Sequence, residues 1–192
     1  MDAFFAGLRQ LITISEEEAA QFAAFCAPQS FAKKAILNQQ GEVCNEVFFI
    51  TKGLLRVMLV DLNGVEHTTH FALEHQFISN YTSFLEQSPS FYTMQALEPL
   101  EVIVIPRAAV EWGYANLQEG QKLGRLIAEY YFTYLDHRIH NLYSKTPKER
   151  YDIMGDLFPN IHNRVPQHMI ASYIGITPVH LSRLKRADLA KA

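Results

Sequence analysis

The chain is poor in cysteine and has no long apolar run. Cysteine occurs only at Cys26 and Cys44, so a disulfide framework and a four-cysteine metal cluster are both excluded. No window reaches about 18 consecutive apolar residues, and the first residues do not form a basic stretch followed by an apolar one. These absences favour a cytoplasmic protein in which both cysteines are ordinary thiols.

Motifs of common catalytic sites are also absent from the sequence. There is no glycine-rich phosphate loop and no serine flanked as in a nucleophile elbow. A cupin-type metal site remains an alternative, and its candidate ligands are His67, His70, Glu74 and His75. Ligands on one face of a strand lie two or four residues apart, so only His70 and Glu74 could act together, and two ligands make a weak site. We predict no enzyme activity, no metal and no cofactor.

The charge of the chain is unevenly distributed. Residues 1–144 contain 9 Lys and Arg against 16 Asp and Glu, whereas residues 145–192 contain 8 against 4 and are net positive. With 48% hydrophobic residues, the 192-residue chain has enough apolar material for a packed core. A basic segment that follows an acidic one suggests contact with a polyanion.

Residues 30–106 have the pattern of antiparallel β structure. Short apolar runs alternate with turn residues, and Asn63 followed by Gly64 is a common sequence of a tight hairpin. The expected strands are Ala35–Leu37, Val47–Ile50, Leu54–Val60, His67–Leu73, Thr93–Leu97 and Val102–Ile105. Evenly spaced strands of this kind predict a jelly roll.

A single long helix is predicted from Glu119 to about Ser144, because apolar residues recur there at steps of three and four. The predicted dimerisation face consists of Ile127, Tyr130, Tyr134, His137 and Asn141. A second apolar face leaves the helix able to pack on its own sheet, so two-fold self-association is the economical interpretation. The alternative is a surface helix that lies across the sheet with tyrosines at its margin.

The strongest pattern lies between Val165 and Arg186 and predicts a helix-turn-helix. Ala171 is small where two helices would cross, and Gly175 can adopt the left-handed backbone of the turn. Thr177 can then cap the second helix, with Pro178 at its first position. The alternative is an ordinary helical hairpin with a basic edge, which would not require the small residue, the glycine and the helix cap together.

The second helix of this motif would present a basic outer surface to DNA. Arg183 is the best candidate for reading a base, since a guanidinium can bond both acceptors of guanine, and Val179 can offer an apolar contact. Thr177, Lys185 and Arg186 fit phosphate contacts. The full predicted set of DNA-binding residues is Thr177, Val179, His180, Ser182, Arg183, Lys185 and Arg186.

At this point the chain resembles the Crp/Fnr family of bacterial transcription regulators. The resemblance is carried by the run from Ile170 to Pro178, by Leu181, Ser182 and Arg183, and by Arg150 and Tyr151 upstream. It implies an α+β chain with an N-terminal antiparallel β jelly roll of the cyclic-nucleotide-binding kind, a long dimerisation helix and a C-terminal helix-turn-helix. The implied domains are residues 1–117, 118–144 and 145–192. It also implies a homodimer that places two recognition helices in successive major grooves.

The chain departs from this family where cyclic-AMP-binding members carry their ligand residues. The corresponding positions, and hence the predicted effector pocket, hold Ser79, Asn80, Tyr81, Ser90, Phe91 and Tyr92. Without the arginine that pairs with the cyclic phosphate, burying that anion is costly, so we expect no tight binding of a cyclic nucleotide. Two cysteines also cannot hold the iron–sulfur cluster of another branch of the family. Val179 stands where many relatives carry an acidic reader.

The sequence therefore predicts a homodimeric, cytoplasmic transcription regulator. Its partners would be double-stranded DNA, a second copy of the chain and either an unknown small-molecule effector or none, with no membrane contact. The alternative is a protein-interaction module that kept the fold but lost specific DNA binding. Salt dependence separates the two, because phosphate contacts weaken steeply as salt rises.

Overall fold

A computed structural model describes residues 1–189 of the chain and the side chains of residues 1–187. The end of the expected unit 145–192 therefore lies outside the described residues. The helices are α1 (Asp2–Leu11), α2 (Glu16–Ala23), α3 (Tyr81–Glu86), α4 (Arg107–Asn116), α5 (Gly120–Ser144), α6 (Pro147–Leu157), α7 (Ile161–Arg164), α8 (Gln167–Tyr173) and α9 (Pro178–Leu189). The strands are β1 (Ala27–Phe31), β2 (Ile36–Asn38), β3 (Glu46–Lys52), β4 (Leu55–Val60), β5 (Glu66–Ala72), β6 (Phe77–Ile78), β7 (Thr93–Ala96) and β8 (Leu100–Pro106).

The strands form two four-stranded sheets in the orders β1-β8-β3-β6 and β2-β7-β4-β5. Neighbouring strands are antiparallel throughout, and the buried core between the sheets includes Phe48, Ile50, Leu55, Met94 and Val102. The expected jelly roll is thus confirmed. Strands β1 and β6 lie outside the predicted runs, because β1 is largely exposed and contains Pro28, and β6 has only two residues.

The hairpin between β4 and β5 forms at the predicted Asn63-Gly64 turn. The carboxylate of Asp61 accepts hydrogen bonds from the backbone N–H groups of Asn63 and Val65 at 2.8 and 3.0 Å. Gly64 has φ +79°, the left-handed conformation that glycine adopts without strain. This local chemistry fixes the pairing of β4 with β5 next to the turn, from Val60 opposite Glu66 to Met58 opposite Thr68.

Helix α5 runs along the roll and connects it to the C-terminal helices. Leu123 is buried against the N-terminal helices, and the hydroxyl of Tyr131 donates a hydrogen bond to the carbonyl of Phe77 at 2.6 Å. The predicted long helix is confirmed to within one residue at its start. No helix in the described part of the chain is long and apolar enough to cross a membrane.

The C-terminal helices share a hydrophobic core with the second sheet. Phe71 of β5 contacts Phe158, which follows α6, and Tyr173 of α8, with ring centroids 5.9 and 5.5 Å apart. Leu54 and Leu97 belong to the same buried cluster. The segment after residue 145 therefore packs directly on the jelly roll of its own chain.

An ion-pair cluster reinforces this contact. The guanidinium of Arg164, at the end of α7, donates to both carboxylate oxygens of Glu74 and of Glu98 over 2.7–3.0 Å. Glu74 also accepts a hydrogen bond from the backbone N–H of Gly53. Its hydrogen bonds with Arg164 are the main reason that the pKa of Glu74 is lowered to about 2. Because Glu74 and Glu98 lie in the turns after β5 and β7, the cluster ties two loops of the roll to α7.

We predict that Glu74→Gln removes part of the stability of the fold at neutral pH. A carboxylate whose pKa is depressed in the folded state contributes stability above its unfolded pKa and loses it as the pH falls towards 2. The variant should be less stable by about 1 kcal/mol at pH 7, and the difference should shrink at pH 3. Urea unfolding at both pH values measures this difference.

Glu16→Gln is the matched control, because the side chain of Glu16 is 91% exposed in its pair with Arg9. It should change stability little at either pH. A Glu74→Gln variant with wild-type stability at pH 7 would show that the cluster does not hold the C-terminal helices.

Candidate nucleic-acid interface and effector cavity

Helices α8 and α9, joined by residues 174–177, lie where the sequence predicts a helix-turn-helix. Ala171 and Leu181 are completely buried between them. Gly175 has φ +72°, and the backbone N–H of Ile176 donates to the carbonyl of Ala171, which closes the end of α8 in the manner of a Schellman motif. The small residue, the left-handed glycine and the apolar wedge therefore occupy the positions that the sequence predicted for them.

The side-chain oxygen of Thr177 caps α9 by accepting a hydrogen bond from the backbone N–H of His180 at 3.2 Å. Six of the seven predicted DNA-binding residues are exposed: Thr177, Val179, His180, Ser182, Arg183 and Arg186. Lys185 is half-buried and donates to the side-chain oxygen of Gln167 on α8. The outer face of α9 is thus polar and cationic, with Val179 as an apolar contact point.

A shallow cleft beside α9 adds residues that sequence reasoning did not assign to this surface. It is bordered by Thr146, Pro147 and Lys148 of the α6 start and by Val179, His180 and Arg183 of α9. A capping box begins α6, since Thr146 accepts from the N–H of Glu149 and Glu149 accepts from the N–H of Thr146. The sequence shows this cap, but only the tertiary arrangement brings the helix start beside Arg183.

The six residues of the predicted effector pocket border one cavity of about 150 Å³ in the jelly roll. Asn80 is 3% exposed, and its amide donates to the side chain of Asn38 and to the carbonyl of Tyr92. Phe91 lies at the rim and is 69% exposed. The cavity also has walls from β5 and α5 that sequence reasoning missed, because those residues are distant in the chain: Thr69, His70, Tyr131, Tyr134 and Leu135.

This cavity has no Lys, Arg, Asp or Glu among its bordering residues. Arg56 is buried nearby on β4, but it donates to Thr68 and pairs with Glu66. Val57, its neighbour in the strand, borders the cavity, so Arg56 points to the other face of the sheet. Burial, and secondarily the charge of Arg138, lowers the pKa of His70 to about 3. The cavity is therefore uncharged at neutral pH.

The predicted dimerisation residues share one face of α5 but differ in burial. Ile127 and Tyr134 are partly buried against hydrophobic clusters of their own chain. Tyr130 is 55% exposed and His137 is exposed, and with Asn141 they border a groove between α5 and α6. A different apolar row faces outward: Phe132, Leu135, Ile139 and Leu142 are 73%, 52%, 57% and 36% exposed.

The four residues weighed as metal ligands are separated in the structure. His67 is exposed and pairs with Asp61, whereas Glu74 is held by Arg164. His70 is buried among Tyr134 and Phe158 rings, and His75 is exposed. Among residues 1–187, no three His, Cys, Asp or Glu side chains lie close enough to hold a metal ion together.

Residues 28–116 match the family described as the cyclic nucleotide-binding domain, and no curated protein matches the chain in sequence. The fold is similar to that of FixK2 from Bradyrhizobium japonicum, with a TM-score of 0.73, 17% identity and 86% of each chain covered. It is also similar to CLP from Xanthomonas campestris, described as a c-di-GMP responsive global regulator. That match has a TM-score of 0.69 and 13% identity, and it covers 90% of this chain and 91% of that one. A third similar structure is a putative transcriptional regulator of the Crp/Fnr family from Eubacterium rectale. It matches with a TM-score of 0.71 and 13% identity over 93% of this chain and 85% of that one.

These identities are low, so the matches establish likeness of fold. In that sense the resemblance to Crp/Fnr regulators is confirmed, because the similarity spans the jelly roll, the long helix and the C-terminal helices. The chain also covers more than four fifths of each of these three proteins.

Proposed function

We propose that the chain is a sequence-specific DNA-binding transcription regulator that acts as a homodimer in the cytoplasm. The observation that carries this proposal is the helix-turn-helix, in which Leu181 is buried while Arg183 and its neighbours on α9 are exposed. Regulators with the same fold, such as the Eubacterium rectale protein, support it. The proposal assigns no catalytic role to the chain.

In the proposed complex α9 enters the major groove. Arg183 reads a guanine and Val179 contacts the apolar edge of a base. Thr177, Lys185 and Arg186 contact phosphates, and Lys148 at the start of α6, whose ammonium pairs with Asp152 at 2.6 Å, borders the same cleft as Thr177. His180 and Ser182 complete the surface that faces the DNA.

We propose that the second copy packs on the outward row of α5 formed by Phe132, Leu135, Ile139 and Leu142. These residues follow one another at steps of three, four and three, which is the spacing of a helix pair. The predicted face of Ile127, Tyr130, Tyr134, His137 and Asn141 lies on the opposite side of α5 from this row and remains an alternative interface, in which Tyr130 and His137 are exposed. Two-fold packing would place two copies of α9 on one side of the dimer.

Selection of random double-stranded DNA by the purified protein at moderate salt tests the proposed function. We expect the retained DNA to share a two-fold symmetric motif with half-sites about one helical turn apart. Affinity for that motif should fall steeply as salt rises. If the folded dimer retains no DNA motif, and instead binds protein partners with an affinity that does not depend on salt, the proposal is wrong and the chain is a protein-interaction module.

Arg183→Ala should weaken binding to the selected motif by about 1 to 3 kcal/mol and relax the preference at one base position. The reason is the loss of a two-pronged contact to a base edge. Titration of labelled DNA with the variant measures the effect. Arg9→Ala is the matched control, since Arg9 lies on α1 and pairs with Glu16; equal losses in the two variants would contradict base reading by Arg183.

Ile139→Glu should dissociate the dimer, because it places a charge in the proposed apolar interface. We expect the dimer dissociation constant to rise at least tenfold, as measured by sedimentation over a range of concentrations. Leu62→Glu is the control, because Leu62 is fully exposed in the β4–β5 turn. A variant as dimeric as the wild type would show that the outward row of α5 is not the interface.

A further inference from the structure

The cavity beside α3 has aromatic walls, and two of the residues that border it carry a buried polar atom without a partner. Asn80 and His70 are both more than nine-tenths buried. The Oδ1 atom of Asn80 and the Nδ1 atom of His70 have no hydrogen-bond partner among the described residues. An unpaired buried polar atom destabilises the protein, and a bound molecule that supplies the matching hydrogen bond would remove that penalty.

The neighbouring hydroxyl groups are already engaged within the protein. Ser79 donates to the carbonyl of Glu46, and Ser90 donates to the carbonyl of Tyr92. Oδ1 of Asn80 is unpaired but has almost no accessible surface, so a ligand in the cavity reaches it only when the side chains at that wall move. A ligand that satisfies it must therefore carry an N–H or O–H donor.

We propose that this cavity binds a small, flat, uncharged molecule that donates a hydrogen bond to Asn80 and stacks against the tyrosine walls. The absence of a cationic side chain disfavours an anion such as a cyclic phosphate. The volume of about 150 Å³ suits one or two fused aromatic rings, since apolar cavities of about this size bind benzene. Tyr81, Tyr92, Tyr131 and Tyr134 supply aromatic surface.

A ligand in this cavity would contact the side chains that hold the C-terminal helices. His70 packs edge-on against Tyr134 with ring centroids 4.5 Å apart, and it contacts Phe158 at 5.7 Å. The hydroxyl of Tyr134 is hydrogen-bonded to that of Tyr173 on α8 at 3.0 Å. The ligand would thereby influence the position of the helix-turn-helix; this consequence rests on the proposed function, whereas the binding does not.

The test is a titration of the full chain, in the absence of DNA, with indole, 1-methylindole and cyclic AMP. Calorimetry or protein-detected NMR measures the binding of each. Indole carries one N–H donor, and 1-methylindole has the same ring system without it. We expect indole to bind at least tenfold more tightly than 1-methylindole and cyclic AMP. Equal binding of the two indoles, tighter binding of cyclic AMP, or an occupancy by water alone with no probe bound would overturn the proposal.

Two variants locate the site. Thr82→Trp adds a large side chain at the exposed rim of the cavity and should weaken indole binding at least tenfold, whereas Thr13→Trp, at an exposed loop position outside the cavity, should not. Asn80→Leu removes the acceptor and should abolish the preference for indole over 1-methylindole. If Asn80→Leu does not fold, Thr82→Trp decides alone, and indole binding unchanged in Thr82→Trp would refute the site.

DNA binding is measured separately on the selected motif, with and without saturating indole. A change in DNA affinity that disappears in Thr82→Trp would support the regulatory consequence. Indole binding in a chain that retains no DNA motif would uphold the ligand site while the proposed function fails.

Discussion

The packing of the C-terminal helices on β5 is the constraint on which the rest of the structure depends. The rings of Phe71, Phe158 and Tyr173 meet at the centre of this contact, with centroids 5.5–5.9 Å apart. Because protein interiors are close-packed, a shift of α8 relative to β5 would open voids in this cluster. The contact therefore fixes the direction in which α9 presents its outer face. The helix that packs on β5 in this contact is α8, so the outer face of α9 stays exposed.

Polar groups make the same contact specific. The backbone N–H of Thr68 donates to the hydroxyl of Ser172 at 2.8 Å, and Arg138 donates to the carbonyls of Thr68 and Tyr173 while its guanidinium stacks over the Tyr173 ring. On the other side Thr68 accepts from Arg56, whose buried charge is paired with Glu66. A slip of one residue along β5 would leave these groups unpaired. The apolar cluster thus supplies most of the attraction, and the hydrogen bonds select one register.

Features that depend on neighbours in the chain could be predicted from the sequence. The cap at Thr146, the turn at Gly64 and the left-handed Gly175 each follow from local hydrogen bonding or backbone freedom, and each lies where the sequence placed it. The pairing of Arg164 with Glu74 and Glu98 could not be predicted, because 90 and 66 residues separate the partners. The predicted face of α5 shows the same limit. Both faces have helical spacing, and only the tertiary structure shows that Ile127 and Tyr134 are partly buried against their own chain.

The position of the cavity gives the proposed regulator a physical route between ligand and DNA. A ligand changes the balance between two arrangements only when it binds one of them more tightly. The walls of this cavity come from several elements, among them three that matter here: Asn80 directly precedes α3, His70 lies on β5, and Tyr134 lies on α5. A movement of α5 against the sheet therefore changes the shape of the cavity and the Tyr134–Tyr173 hydrogen bond together. Binding that favours one cavity shape would then also favour one position of α8, and α9 would move with it because Ala171 and Leu181 are buried between the two helices.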